Sequence, residues 1–278
     1  MNWIFIHLRL VWKYLQYYGR AKTRYGLHSP FVYELVEKTV EDSRVFYAFP
    51  IIESLRRLLL RDDTLVNITD YGAGSKVEDA SQRKVSSLAR HSAVSPATGR
   101  LLFRLVHFLK PSTLLELGTS LGISTAYQAA AALRSTMITI EGCPETAALA
   151  RQHFQQQNLL NVHLLTGAFR EKLPEALRAL KKLDYLYLDG DHRHGASLEY
   201  FEQCLPYAHA GSVFVIADIH WSGEMEDAWR EMRRHPRVGL SVDLFHLGLL
   251  FFREEQREKE HFTVIKASKK PWRMGFFR

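Results

Sequence analysis

From Thr113 onwards the chain alternates short apolar runs with longer amphipathic ones. TLLEL, MITIE, NVHLLT, LDYLYLD and SVFVIAD each read as a buried strand. ISTAYQAAAAL, ETAALARQHFQQQ after Pro144, EKLPEALRALKK, ASLEYFEQCLPYA and GEMEDAWREMRR follow them in turn with a helical period. Short buried strands alternating with helices predict a parallel sheet with helices on both faces. The end of the chain breaks this rhythm. LSVDLFH and LGLLFFR are two strand-like runs with almost nothing between them, and so tight a connection joins antiparallel neighbours. The pattern predicts an α/β fold: a doubly wound, seven-stranded, mostly parallel sheet with a C-terminal antiparallel hairpin.

Residues 1–90 stay outside this alternation. FVYELVEKTV and PIIESLRRLLLRD read as helices, so this part is expected to be a helical cap with an irregular connection. LLFRLVHFLK (Leu101–Lys110) reads as the helix leading into the first strand. The expected divisions are 1–90 for the cap, 91–268 for the α/β domain and 269–278 for a basic tail. The opening MNWIFIHLRLVWKYLQYY keeps Asn2, Arg9, Lys13 and Gln16 on one narrow helical stripe, and the rest is mostly apolar. So wide an apolar face needs a cover. The body of the protein or a second subunit in a homodimer is the expected one, in preference to a membrane surface. Arg9 and Lys13 interrupt the apolar run and no small-residue cleavage site follows, which argues against a signal peptide. Nothing in the chain is apolar for long enough to span a bilayer.

Charge adds one feature. The net charge is +7, and no Asp or Glu precedes Glu34, whereas Arg9, Lys13, Arg20, Lys22 and Arg24 do. The tail HFTVIKASKKPWRMGFFR is again basic and aromatic. Such ends could meet nucleic acid, an anionic membrane or an acidic substrate, but solvated ends that keep the protein soluble are the favoured reading. Composition is ordinary for a globular chain, with 46% hydrophobic and 24% charged residues. Cys143 and Cys204 form no CxxC pair, which argues against a disulfide framework or a zinc cluster and for a reducing, cytoplasmic compartment.

The chemistry-bearing stretch is LLELGTSLGIST, Leu114–Thr125. In an open parallel sheet, ligands sit beyond the carboxyl ends of the strands where strand order reverses. A dinucleotide fingerprint would put glycines at 118, 120 and 123, but those positions are Gly118, Ser120 and Ile123. A GK[ST] phosphate loop is absent. Glu116 would repel a pyrophosphate and would suit a ligand with cationic groups, such as the ammonium and sulfonium of S-adenosylmethionine. The next strand ends in Glu141 and Gly142, where a carboxylate can accept both ribose hydroxyls. The third ends in TGAF, where Ala168 and Phe169 could border an adenine. A rival glycine loop, DYGAGS at Asp70–Ser75, is followed by the polar KVEDASQRKVSSLARHS, with no strand and no acid. It is read as a structural turn.

Over roughly residues 92–266 the chain resembles the class I S-adenosylmethionine-dependent methyltransferases. LLELGTSLGIST and ITIEGCPE look like that family's first two motifs. YLYLDGDH and VIADIHW resemble the fourth and fifth strand ends of its small-molecule O-methyltransferase branch. The resemblance implies a Rossmann-like methyltransferase fold, methyl transfer to a small-molecule acceptor, and a cofactor site of Glu116, Gly118, Ser120, Gly122, Glu141, Gly142, Ala168, Phe169 and Asp189. In metal-dependent members an acid at each of the fourth and fifth ends holds a divalent cation, and Asp189 and Asp218 match those positions. That branch usually has Asn or Asp after the second acid, where this chain has Ile219, so His220 becomes a candidate third ligand to Mg²⁺ or Mn²⁺. The alternative is metal-free catalysis with Asp191, His192 or His220 as general base, and the missing ligand at Ile219 tilts the sequence reading that way. The same groups could instead only cap helices. His107, His153 and His163 are expected at the surface or in the core.

Two rival functions stay open. An RNA or protein methyltransferase would use the basic ends. However, LDGDH is not the Asn-Pro-Pro-aromatic type used on base amino groups, and no RNA-binding module stands out, so nucleic acid is disfavoured. A non-catalytic protein could keep the fold and bind a partner through its N-terminal helix.

Overall fold

The computed structural model describes residues 3–69, 82–253 and 258–271, so the Asp70–Ser75 loop lies outside the described residues. The N-terminal part forms α1 (Trp3–Arg20), α2 (Pro30–Lys38) and α3 (Ala48–Leu59). A two-stranded antiparallel ribbon follows, β1 (Leu65–Asn67) with β2 (Gln82–Lys84), and then α4 (Val85–His91). The stretch read as an irregular polar connection thus holds a short ribbon strand and a helix. α5 (Pro96–Leu109) starts on Ser95, whose hydroxyl accepts from the Thr98 amide at 3.1 Å, with Pro96 in the first turn.

The main sheet then builds as the alternation predicts. Its parallel strands are β3 (Thr113–Leu117), β4 (Thr136–Glu141), β5 (Val162–Thr166), β6 (Tyr185–Leu188) and β7 (Val213–Ala217). The intervening helices are α6 (Ile123–Ala131), α7 (Pro144–Gln156), α8 (Phe169–Leu180) and α9 (His194–Cys204), and α10 (Gly223–Arg234) follows β7. β8 (Leu240–Asp243) and β9 (Leu247–Phe251) form the expected antiparallel pair, and β9 also lies antiparallel to β7. The sheet has eight strands rather than seven, in the order β10-β8-β9-β7-β6-β3-β4-β5. The addition is β10 (Glu260–Thr263), parallel to β8 at the edge. None of its four residues is fully buried, so it lacks the apolar signature that marks the central strands.

Successive sheet residues face opposite layers. Leu114, Met137, Tyr185, Tyr187 and Val215 join the core formed with α2, α3, α5 and α6. Leu115, Ile138, Leu186, Leu188 and Ile216 join the core with α8, α9 and α10. The helices of residues 30–59 therefore continue one layer of the α/β body.

The two ends of the chain meet. Lys22 and Val264 form a parallel bridge, and the Tyr17 hydroxyl donates to the Val264 carbonyl. Lys270 is buried, and its ammonium donates to the carbonyls of Tyr18 at 2.5 Å and Ala21 at 2.9 Å. A cation there satisfies carbonyls left over at the end of α1 and complements its dipole. Solvated ends are thus only part of the account, because this tail lysine is a structural cap. Among the described residues no helix is long and apolar enough to cross a membrane. Lys270→Met is expected to lower stability by about 2 kcal/mol and to speed proteolysis within residues 3–20. An unchanged urea midpoint and cleavage rate would show that this cap is not formed in solution.

Candidate active site

Strand order reverses at β3, which has β4 on one side and β6 on the other. The carboxyl ends of β3, β4, β6 and β7 lie side by side there and carry most of the predicted residues, while Ala168 and Phe169 follow β5. Gly118 has φ +103°, and a Cβ on it would lie 2.1 Å from the Asp189 carbonyl oxygen. Only glycine lets the loop after β3 pass the end of β6 this closely. Gly122 opens α6 in the left-handed region. Ser120, between them, is also left-handed with φ +48°, and its amide donates to Glu141 Oε2 at 2.6 Å.

Glu141 therefore does two things. Its other oxygen accepts from the Cys143 amide at 2.9 Å, so the carboxylate ties the β3 loop to the β4 turn through Gly142. Each oxygen keeps a second lone pair, which leaves acceptor capacity for the ribose hydroxyls. Burial pushes this carboxyl up from its ordinary value, against the pull of the amides. Ala168 precedes α8, and the Phe169 ring lies edge-on to Tyr200 at 5.6 Å. A Cβ on Gly190 would meet that ring at 2.6 Å, so Phe169 borders the turn after β6.

Glu116 occupies a different place from the one its motif suggests. It is fully buried beneath the loop. Its Oε2 accepts from the hydroxyls of Thr125 and Thr139, the latter at 2.7 Å, and its Oε1 from the Gln128 amide at 2.8 Å. Thr119 and Thr139 share a hydrogen bond of 2.6 Å, so the carboxyl acts on the loop through Thr139 and Thr119. Burial raises it to about 7, only partly offset by its hydroxyl donors, and nearby Asp189 adds to the rise.

The acids after β6 and β7 come together. A carboxylate oxygen of Asp189, one of Asp218 and a ring nitrogen of His192 all lie within 4.8 Å of one another. Tyr187 donates to Asp189 Oδ2 at 2.8 Å, and Asp189 Oδ1 lies 3.8 Å from His192 Nε2. Burial raises both carboxyls, and for Asp218 the neighbouring Asp189 charge adds to it. His192 Nδ1 is buried with no hydrogen-bond partner among the described residues. Two carboxylates and one imidazole form a donor set suited to magnesium or manganese.

The other candidates point elsewhere. Asp191 is clamped by Arg193 at 2.5 and 2.6 Å and receives the Tyr200 hydroxyl at 3.3 Å. His220 joins Asp243 through Nε2 at 2.9 Å and stacks on Phe245 at 5.3 Å. His192, not His220, stands beside the two acids. The sequence offered Asp191, His192 and His220 without ranking, because spacing alone does not say which way a loop side chain turns. Asp243 went unnoticed because it ends a short strand after the matched motifs.

A methyltransferase-domain family matches residues 115–219, the span from β3 to the end of β7. The chain carries a methyltransferase domain over that span. A catechol O-methyltransferase from Niastella koreensis is 29% identical to this methyltransferase over 157 residues, 54% of this chain and 70% of the relative. Two solved structures share the fold. An S-adenosylhomocysteine-bound methyltransferase from Podospora anserina aligns with TM-score 0.56 at 14% identity, over 82% of this chain and 97% of the other. An O-methyltransferase from Bacillus cereus, in complex with S-adenosylhomocysteine, aligns with TM-score 0.54 at 18% identity, over 78% and 99%. Both of these structures hold S-adenosylhomocysteine.

The raised Glu116 makes stability depend on pH. Below its ordinary value near 4.5 the carboxyl is neutral whether folded or not, and above about 7 the folded chain must carry a buried charge. Its contribution is therefore lost as pH rises through that window. Glu116→Gln is expected to remove about 2 kcal/mol of the fall in stability between about pH 5 and about pH 8. Identical pH slopes for wild type and variant in urea titrations would overturn the assignment.

Proposed function

We propose that the methyltransferase acts on a hydroxyl of a small molecule, with Asp189, His192 and Asp218 holding a divalent cation beside the acceptor. The observation that carries this is the convergence of the three side chains within 4.8 Å. It favours metal over metal-free catalysis because His192 supplies the third ligand that Ile219 lacks. Two neighbouring hydroxyls would suit such a site, and the similarity to a catechol O-methyltransferase makes an aromatic diol the acceptor class to try first.

The chain's own residues then divide the work. The loop of Gly118, Ser120 and Gly122, with Glu141 and Phe169, would hold the methyl donor, S-adenosylmethionine, beside the strand end that carries Asp189. Tyr187 fixes one Asp189 oxygen and leaves the other directed to His192. The paired carboxyls, costly to ionise side by side, favour a positive charge between or beside them. A divalent cation bound there would lower the acceptor hydroxyl's pKa and set its direction. Alignment of nucleophile and methyl carbon supplies most of the remaining advantage.

Turnover of a catechol is expected to stop with EDTA and return with magnesium or manganese, and Asp218→Ala is expected to weaken Mn²⁺ binding about tenfold or more in calorimetry. EDTA-insensitive turnover would transfer the role to His192 as general base. Calorimetric binding of S-adenosylhomocysteine with no turnover on any hydroxyl acceptor would overturn the O-methyltransferase reading.

A reducing, cytoplasmic setting is part of the proposal, supported by Cys143 and Cys204 being free and buried. So is a homodimer. Leu8, Val11, Trp12 and Leu15 lie on one face of α1 and are 55–60% exposed. The same helix turns Arg9 and Lys13 inward: Lys13 lies 2.9 Å and Arg9 3.2 Å from Glu226. An apolar stripe without outward cations suits a second copy better than an anionic membrane. Sedimentation is expected to give a dimer for wild type and a monomer for Trp12→Glu. A wild-type monomer, or vesicle binding by that monomer, would overturn it.

A further inference from the structure

The loop Asp218–Ser222 carries one of the two converging acids in a conformation that needs support. Asp218 has φ +54°, a left-handed geometry that costs a non-glycine residue and persists only where its surroundings hold it. Part of the support is local. The Asp218 amide donates to the His246 carbonyl at 2.7 Å, and the Trp221 amide donates back to the Asp218 carbonyl at 2.9 Å. Ile219 is fully buried, and Ser222 caps α10 by accepting from the Met225 amide at 3.1 Å.

The rest comes from α1, which lies entirely before the span that matches the methyltransferase domain. Arg9 donates to the Trp221 carbonyl at 3.3 Å. Arg9 and Lys13 both reach Glu226 Oε2, in the first turns of α10. Glu226 Oε1 lies 3.5 Å from His220 Nδ1. On the far side of His220, Phe245 stacks on its ring, and Tyr14 and Tyr17 of α1 lie 5.0 and 5.2 Å from Phe245. The loop is thus gripped at His220, at Trp221 and through Glu226, and each grip leads back to α1.

We infer that α1 is a positioning element of the active site: Arg9 and Lys13, acting through Glu226 and the Trp221 carbonyl, hold the Asp218–Ser222 loop so that Asp218 stands beside Asp189. This rests on the reading that Asp218 serves the reacting centre. Arg9, Lys13 and Glu226 touch neither of the converging acids and act only through the loop. His220, which sequence spacing offers as a base or ligand, becomes part of the clamp, fixed between Asp243 and Phe245. The methyltransferase domain therefore depends, for one of its acids, on residues outside it.

The test compares the full-length wild type with Glu226→Gln and with the double variant Arg9→Ala/Lys13→Ala. Hydrogen exchange is followed in peptides covering residues 213–223. Exchange at the Asp218 and Trp221 amides is expected to speed up about tenfold or more. Turnover of a catechol acceptor should fall several-fold through kcat, while affinity for S-adenosylhomocysteine stays within about twofold. Arg9→Lys combined with Lys13→Arg, which keeps both charges, is expected to restore slow exchange. Unchanged exchange in both variants overturns the inference whatever the turnover does. Faster exchange with unaltered kcat overturns it too, since the loop would then be held for stability alone. A wild type with no turnover would count against the reading of the site. In that case Mn²⁺ affinity replaces kcat as the second readout, and equal affinities in wild type and Glu226→Gln overturn the inference.

Discussion

Four carboxyl groups, Glu116, Glu141, Asp189 and Asp218, gather at the carboxyl edge of the sheet, the first buried and the others half-buried, and desolvation raises all four. A buried carboxylate is tolerated only with donors or a positive partner close by. The surrounding structure supplies donors unevenly. Glu116 has two hydroxyls and an amide, and Glu141 has two backbone amides. Asp189 has the Tyr187 hydroxyl, while Asp218 has chiefly another acid beside it. The uneven supply sets a gradient across the site. Charge is best compensated under the loop after β3 and least compensated where β6 and β7 end. That end suits a sulfonium or a divalent cation, so the electrostatics of the folded chain and the chemistry of methyl transfer point to the same few ångströms.

Much of this was legible in the sequence because it is carried by short-range patterns. The five parallel strands and their helices show as alternating apolar runs, and the β8–β9 pair shows because its connection is too short for anything else. The glycine positions are legible for a steric reason: Gly118 must admit the Asp189 carbonyl. β10 was not legible, since an edge strand of four half-exposed residues carries no apolar period. α4 was hidden in a polar stretch whose helical face is set by the neighbours it packs on. In the site, the positions of the acids followed from strand ends, but the orientations of Asp191, His192 and His220 did not. Each is decided by a partner that strand-end position does not name: Arg193 and Tyr200 for Asp191, Asp189 for His192, Asp243 for His220.

The N-terminal helix is covered on only part of its apolar face. A wide apolar face does need a cover, and part of it finds one: Tyr17 and Ala21 are buried with Phe245 and Ile265. Arg9 and Lys13 of the polar stripe face the body, because Glu226 gives them a partly buried partner. An ion pair partly withdrawn from water is stronger than one on the open surface. The helix therefore settles with Arg9 and Lys13 inward and an apolar stripe outward, the reverse of a simple surface helix.

The same logic explains the backbone. Ser120, Asp191 and Asp218 end or follow β3, β6 and β7, and all three are left-handed non-glycine residues with φ between +48° and +54°. Each costs of order 1–2 kcal/mol, so three in one site would not persist without restraint. The restraint differs at each position: a Glu141 carboxylate on the Ser120 amide, an Arg193 fork on the Asp191 side chain, and the His246 carbonyl with the α1 clamp around Asp218. Left-handed turns at the strand ends bend the chain sharply back over the sheet edge, and this brings acids from separate strands within reach of each other. Strain in the backbone and desolvation of the acids are thus two parts of one arrangement, and α1, far away in the sequence, shares in holding it.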